Sequence, residues 1–76
     1  MPRVRHMIAA NIRRRRKALG LTQAQAAARL KHTQSWWTAI ETGRQGVGIE
    51  RLSAVASALG CTAADLLECA PRGEMT

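Results

Sequence analysis

The first third of the chain carries apolar residues at helical spacing. Ile8, Ile12 and Leu19 fall on one stripe, basic residues flank it, and Gly20 follows as a stop signal. This pattern predicts a first helix over residues 6–19. Because a helix with an apolar stripe needs a partner to cover it, the segment is expected to pack within a domain.

Two short helices with a brief turn between them are predicted next. Residues 23–30 consist of strong helix formers and follow Thr22, a favourable N-cap. Thr33 can cap another helix over residues 34–41. Only three residues, 31–33, separate the two helices, which is the pattern of a helix-turn-helix.

The second half of the chain predicts two more helices. A glycine-containing link over residues 43–48 precedes apolar residues that recur at helical spacing between residues 49 and 59. Thr62 and Asp65 then have the spacing of a capping box and predict a short helix over residues 63–68. The whole pattern predicts an all-α fold of five short helices.

Composition limits the size and class of the protein. A chain of 76 residues without Phe or Tyr, and rich in Ala and Leu, suits one domain of closely packed helices. We expect this domain over residues 6–69, between a basic arm at 1–5 and a flexible tail at 70–76. No signal peptide or membrane span is recognisable, so a cytoplasmic location is expected and the two cysteines are expected to be thiols.

Charge is distributed unevenly along the chain. Up to Arg44 there are ten Lys or Arg residues and one acid, a net charge of +9, whereas the rest of the chain carries two basic and four acidic residues, a net charge of −2. The first half therefore favours an anionic partner. Nucleic acid is the commonest such partner, while anionic lipid and acidic protein remain open.

Three motifs identify a family resemblance. Gly-Leu-Thr-Gln begins the second helix, Ile-Glu-x-Gly ends the third, and Ala-Leu-Gly precedes the fifth. With this spacing, residues 8–68 resemble the Cro and phage-repressor type of helix-turn-helix regulator, the XRE family. The resemblance implies a compact repressor-like domain, with the helix-turn-helix formed by helices 2 and 3, and a regulator that binds double-stranded DNA through the major groove.

The resemblance also implies roles for individual residues. Gln34, Ser35 and Ala39 match base-facing positions of the third helix, and a Gln there can pair with adenine. The expected phosphate contacts are Gln23, Thr33, Thr38, Arg44, Arg3, Arg5 and Arg13. Arg16 and Glu41 match an ion pair that holds the first helix to the third, and Trp37 and Ile40 match core positions.

Trp36 and the turn depart from the family pattern. Adjacent tryptophans point about 100° apart, so a buried Trp37 leaves Trp36 nearer the groove. We expect Trp36 to contact DNA bases; a dimer contact, or packing flat on the protein, stays open. Lys31 stands where relatives carry Gly, so it must adopt a left-handed conformation or the turn must change. Ala26, smaller than the usual Leu, suggests that Trp37 fills the vacated volume.

Other functions have weaker support. No catalytic trio, dinucleotide loop or zinc pattern is recognisable, so no enzymatic activity, metal or cofactor is expected. The alternative is an antitoxin or protein-binding module that contacts a partner protein and regulates its own promoter. The main hypothesis is a repressor or controller protein that binds a palindromic operator as a homodimer, through a surface formed by helices 4 and 5. No membrane partner is expected, because the core needs the apolar stripe of the first helix.

Overall fold

The computed structural model describes residues 2–67, and it describes side chains from residue 6 onward. Five helices and no strand occur in this range. The helices are α1 (Pro2–Ala18), α2 (Gln23–Arg29), α3 (Gln34–Glu41), α4 (Ile49–Ala58) and α5 (Ala63–Leu67). The predicted all-α fold is confirmed, and no described helix has the length and apolar character needed to cross a membrane.

Side-chain caps set the starts of three helices. Thr22 accepts a hydrogen bond from the Gln25 backbone, and the Gln25 side chain accepts one from the Thr22 backbone in return, which makes a capping box. Thr33 caps α3 in the simpler way, by accepting from a backbone N–H. Thr62 and Asp65 form the capping box that their spacing predicts. These local contacts fix where each helix begins.

The first helix is longer than the sequence pattern predicts. It begins at Pro2 rather than at residue 6, because proline is well suited to the first position of a helix. The side chains of residues 2–5 and the tail predicted over residues 70–76 lie outside the described residues.

The core forms where all five helices meet. Trp37 is fully buried and belongs to the same core cluster as Ala26, Ala27 and Ile12. α1 packs against α3 and α5, α2 packs against α3, and α4 packs against α5. The remaining core side chains are Ile40, Leu52, Val55, Ala56, Leu59 and Leu66.

Three large apolar residues are exposed in the described part of the chain. Leu19 is 50% exposed because α1 ends before it, and Ile49 is 77% exposed at the first position of α4. Leu67 is 43% exposed, whereas its neighbour Leu66 is fully buried, since adjacent helical residues point about 100° apart. Periodicity identifies the buried stripe better in the middle of a helix than at its ends.

The turn between α2 and α3 keeps the geometry of a glycine turn without the glycine. Lys31 has a φ of 57°, and the next backbone N–H, of His32, reaches back to the Ala27 carbonyl at 3.0 Å. This left-handed conformation satisfies the end of α2 in the way that a C-terminal glycine normally does. Of the two alternatives, a left-handed Lys31 or a changed turn, the structure therefore shows the left-handed Lys31.

Replacing Lys31 by Gly should stabilise the protein. The left-handed region costs a residue with a Cβ about 1–2 kcal/mol, and the greater freedom of glycine in the unfolded chain offsets up to about 1 kcal/mol of the gain. We expect Lys31→Gly to raise the free energy of unfolding by about 0.5 kcal/mol, measured by urea denaturation. Arg13→Gly, in the interior of α1, is the control and should lower it by about 1 kcal/mol; a loss with both variants would contradict the strain assigned to Lys31.

Candidate nucleic-acid interface

The third helix presents two different faces. Trp37, Ile40 and Glu41 are buried against the rest of the protein, whereas Gln34 and Ser35 at its beginning are exposed. Helical periodicity produces this division, because the buried residues are three and four positions apart. The two exposed polar residues that were predicted to read bases therefore lie on an accessible surface.

A shallow pocket of about 230 Å³ lies on this exposed face. It is lined by Gln34, Ser35, Thr38 and Arg44. Arg44 is beyond the end of the helix, but its backbone N–H is hydrogen-bonded to the Ala39 carbonyl at 3.0 Å, with Gln45 also donating there at 3.2 Å. This return of the chain brings a cation beside the polar side chains of α3. Ala39 itself is half-buried.

The position of α3 is fixed from behind by the carboxylate of Glu41. Arg16 of α1 donates to both carboxylate oxygens, with Nη2 at 3.1 Å from Oε1, and also donates to the Leu21 carbonyl at 2.7 Å. The indole N–H of Trp37 and the side-chain amide of Gln23 donate to the same carboxylate, the latter at 3.1 Å. The structure thus contains the Arg16–Glu41 pair that the family resemblance implied, inside a larger network.

The environment of Glu41 favours its charged form. Burial opposes ionisation, but the hydrogen bonds from Arg16, Trp37 and Gln23 and the positive charge of Arg16 outweigh it, so the pKa of Glu41 lies below its ordinary value of 4.5. The carboxylate side chain is only 2% exposed. A buried charge of this kind is tolerated because every donor around it is directed at it.

Gln23 and Thr38 connect this buried network to the exposed face. The Thr38 hydroxyl donates to the amide oxygen of Gln23 at 2.8 Å, while the Gln23 amide nitrogen donates to Glu41. One N–H of the Gln23 amide remains for an outside acceptor. Thr33 is exposed, and its hydroxyl oxygen accepts from the Trp36 backbone, so its own O–H is also available.

Trp36 is partly buried, and its ring packs against other side chains of the protein. Its ring stacks on His32, with ring centroids 3.9 Å apart and planes 17° apart, and the Arg51 guanidinium carbon is 5.7 Å from the ring centroid. Arg51 Nη1 also contacts His32 Nε2. Stacking and cation–π attraction therefore draw the indole toward α4 and favour the open alternative in which it packs flat on the protein, while the base contact of Trp36 stays a prediction.

The remaining predicted phosphate contacts are on α1. Arg13 is exposed and lines a groove between α1 and the end of α3. The side chains of Arg3 and Arg5 lie outside the described residues.

Sequence reasoning missed three hydrogen bonds around Glu41 and Gln23, namely those from Gln23 to Glu41, from Trp37 to Glu41 and from Thr38 to Gln23. The hydrogen bond from Trp37 to Glu41 could have been predicted from the sequence, because residues four apart on one helix lie next to each other. The hydrogen bond from Thr38 to Gln23 joins two helices, and no local pattern predicts it. Together they convert a predicted ion pair into a junction of three helices.

The chain matches one family model and several solved structures. The family model is described as a helix-turn-helix domain and matches residues 8–68. A search of curated proteins finds no match.

The similar structures are transcription regulators by name. Two crystal structures of the clp gene regulator ClgR from Corynebacterium glutamicum have 31% sequence identity and a TM-score of 0.80, and the alignment covers 84% of this chain and 68% or 83% of theirs. A hypothetical transcription factor, NHTF from Neisseria, has 26% identity and a TM-score of 0.85, with 95% of this chain and 82% of that one covered.

Removing the Glu41 charge should destabilise the fold. Glu41→Gln leaves Arg16 buried without its counter-ion, and we expect a loss of about 3 kcal/mol at pH 7, measured by chemical denaturation. Because the folded-state pKa of Glu41 is lowered, the wild-type contribution is present above about pH 4.5 and is lost as pH falls through the folded pKa.

The variant should therefore show a weaker dependence of stability on pH in the acid range. Glu50→Gln, at an exposed position of α4, is the matched control and should change stability by less than about 0.5 kcal/mol. Similar losses in the two variants would contradict the role assigned to Glu41.

Proposed function

Because the chain belongs to the helix-turn-helix family, as a DNA-binding transcription regulator of the XRE type, we propose that it represses transcription by binding a specific operator. In this proposal α3 enters the major groove of double-stranded DNA, and the bound protein blocks access to the promoter. The site of action is the cytoplasm of a bacterium, on chromosomal or phage DNA.

The observation that carries the proposal is the polar, exposed beginning of α3 beside Arg44. Gln34 and Ser35 are exposed on the same helix whose other face is fixed by Glu41. A helix that reads bases must be held rigidly while its contact residues stay free, and α3 satisfies both conditions. We infer that the pocket beside Gln34 faces base edges.

The roles within this interface follow from side-chain chemistry. Gln34 carries both a donor and an acceptor and suits adenine, Ser35 suits several bases, and the Ala39 methyl suits a thymine methyl or simply gives clearance. Trp36 is omitted from this set because it stacks on His32.

The phosphate contacts surround these base contacts. Arg44 supplies a charge at one side of the pocket, and Thr33, Gln23 and Thr38 supply polar groups at the start of α3 and along the α2–α3 junction. Arg13 supplies a further charge from α1. Contacts of this kind set the register of the protein on DNA without reading sequence.

We also propose that the protein acts as a homodimer on a palindromic operator. One short helix reads few base pairs, and each wrong pair costs only about 1–3 kcal/mol, so two half-sites about 34 Å apart are needed for useful specificity. Ile49 of α4 and Leu67 of α5 are exposed apolar residues on the two helices predicted to form the dimer surface.

Base readout and phosphate contact should be separable by mutation. Gln34→Ala should weaken operator binding by about tenfold or more, with little effect on random DNA, because a good side-chain-to-base pair contributes about 1–3 kcal/mol of discrimination. Arg44→Ala should weaken binding to both DNAs and reduce the salt slope by about one.

The measurement is fluorescence anisotropy with an operator chosen by selection of genomic fragments, at several salt concentrations. Leu19→Ala, at an exposed position outside α4 and α5, is the control and should behave as wild type. Equal losses on both DNAs for Gln34→Ala would contradict base readout. If the wild-type protein bound no duplex at low salt, the result would favour the protein-binding alternative.

Charge on the proposed dimer surface should separate the subunits. Ile49→Lys and Leu67→Lys should each lower the association constant of the dimer by about tenfold, because each places a cation in an apolar contact. Sedimentation equilibrium measures this constant. Leu19→Lys is the matched control at an exposed leucine outside α4 and α5 and should leave association unchanged. A wild-type monomer at all concentrations would contradict the dimer proposal.

A further inference from the structure

A second concave region, separate from the pocket beside Gln34, lies between α1 and the carboxyl end of α3. This groove has a volume of about 380 Å³. α1 contributes His6, Ala9, Ala10, Arg13, Arg14 and Lys17; Glu41, the last residue of α3, and its C-cap Thr42 complete the lining. We refer to it as the α1 groove.

Cations are concentrated along one side of the α1 groove. Arg13 and Lys17 are four positions apart, and Arg14 and Lys17 are three apart, so their side chains lie close to one another on the helix surface. Like charges at this spacing destabilise a helix by a few tenths of a kcal/mol per pair. A bound anion would remove that repulsion, so the fold favours an anionic occupant at this position.

The acid in the groove lining does not cancel this charge. Glu41 is already neutralised by Arg16 and is nearly inaccessible, with 2% of its side chain exposed. Arg14 donates to the Asn11 side-chain oxygen at 2.7 Å, and this neutral partner positions the guanidinium without removing its charge. Within residues 6–67, no carboxylate forms an ion pair with Arg13, Arg14 or Lys17, so this part of the structure presents three cations in the groove, of which Arg14 is held in place.

The lining of the groove also includes two small apolar side chains. Ala9 is buried and Ala10 is exposed, and their methyl groups take up little space in the groove. An inorganic anion alone would leave these alanines uncovered. A phosphate attached to a compact apolar body, such as a sugar, would place charge on the basic side and carbon on the alanines.

We propose that the α1 groove binds a phosphate ester joined to a sugar, held by Arg13, Arg14 and Lys17. Two sources have this chemistry: the sugar–phosphate backbone of DNA and a free phosphorylated small molecule. Thr42 lines the groove and is two residues from Arg44, which lines the pocket beside Gln34, so the DNA backbone is one source to test. The backbone source rests on the proposed function, whereas the free source does not.

The test removes the two charges that lie four residues apart. Arg13→Gln with Lys17→Gln is compared with Arg29→Gln with Lys31→Gln, which removes the same charge from residues that line neither the α1 groove nor the pocket beside Gln34. Thermal unfolding followed by circular dichroism establishes that both double variants fold. One arm measures duplex affinity against salt concentration, and the other titrates inorganic phosphate and thymidine 5′-monophosphate without DNA, following backbone amide shifts by NMR.

If the DNA backbone occupies the groove, the Arg13→Gln, Lys17→Gln variant should lose about tenfold more duplex affinity than the Arg29→Gln, Lys31→Gln control, and its salt slope should be lower by about one. If a free phosphorylated molecule occupies the groove, the two double variants should bind the duplex equally well. The backbone amides of Ala9, Ala10 and Thr42 should then shift saturably in the wild-type protein and not in the Arg13→Gln, Lys17→Gln variant. Thymidine 5′-monophosphate should also bind more tightly than inorganic phosphate.

Equal duplex affinities combined with no saturable shift would overturn the α1 groove proposal while leaving the proposed function intact. A wild-type protein that binds no duplex would instead count against the proposed function. In that case the nucleotide titration alone tests the α1 groove proposal: saturable shifts support it, and their absence contradicts it.

Discussion

The buried carboxylate of Glu41 is the constraint on which the arrangement of the first three helices depends. Taking a carboxylate out of water costs several kcal/mol, and only a complete set of donors offsets that cost. Arg16, Gln23 and Trp37 supply those donors from α1, α2 and α3. Because one side chain must satisfy donors from three helices, the helices can adopt only a narrow range of relative positions.

Within the eight residues of α3, one set of side chains fixes the position of the helix and another set is left exposed for contact with a ligand. The inner face of α3 carries the residues that hold it, and its beginning carries Gln34 and Ser35, which take part in none of the described side-chain hydrogen bonds. Thr38 lies between these regions, since it lines the pocket beside Gln34 and its hydroxyl also donates to Gln23. Changes at the first two positions can therefore alter what is bound with little effect on folding, whereas a change at Thr38 disturbs the support of the helix as well.

Local signals in the sequence predict most of the fold, and contacts between helices account for what they miss. Caps at Thr22, Thr33 and Thr62 depend on residues three positions away, so the starts of α2, α3 and α5 are predicted correctly. Trp36 illustrates the limit. Periodicity gives the direction of its side chain, but the ring that it stacks on and the cation beside it come from a turn and from α4. The hydrogen bond from Thr38 to Gln23 is equally invisible to a local pattern, whereas the Arg16–Glu41 pair is predicted through the family resemblance and not through spacing.

The features that oppose stability are concentrated in the half of the chain with a net charge of +9. Lys31 occupies a left-handed conformation, the basic residues of α1 repel one another, and Glu41 is a buried charge. In α4 and α5, by contrast, the described core residues are apolar and the cap of α5 is conventional. Sequences generally conform to local rules where only folding is at issue and depart from them where a ligand compensates. For the charges on α1 an anion would supply that compensation, which is the kind of occupant proposed for the α1 groove.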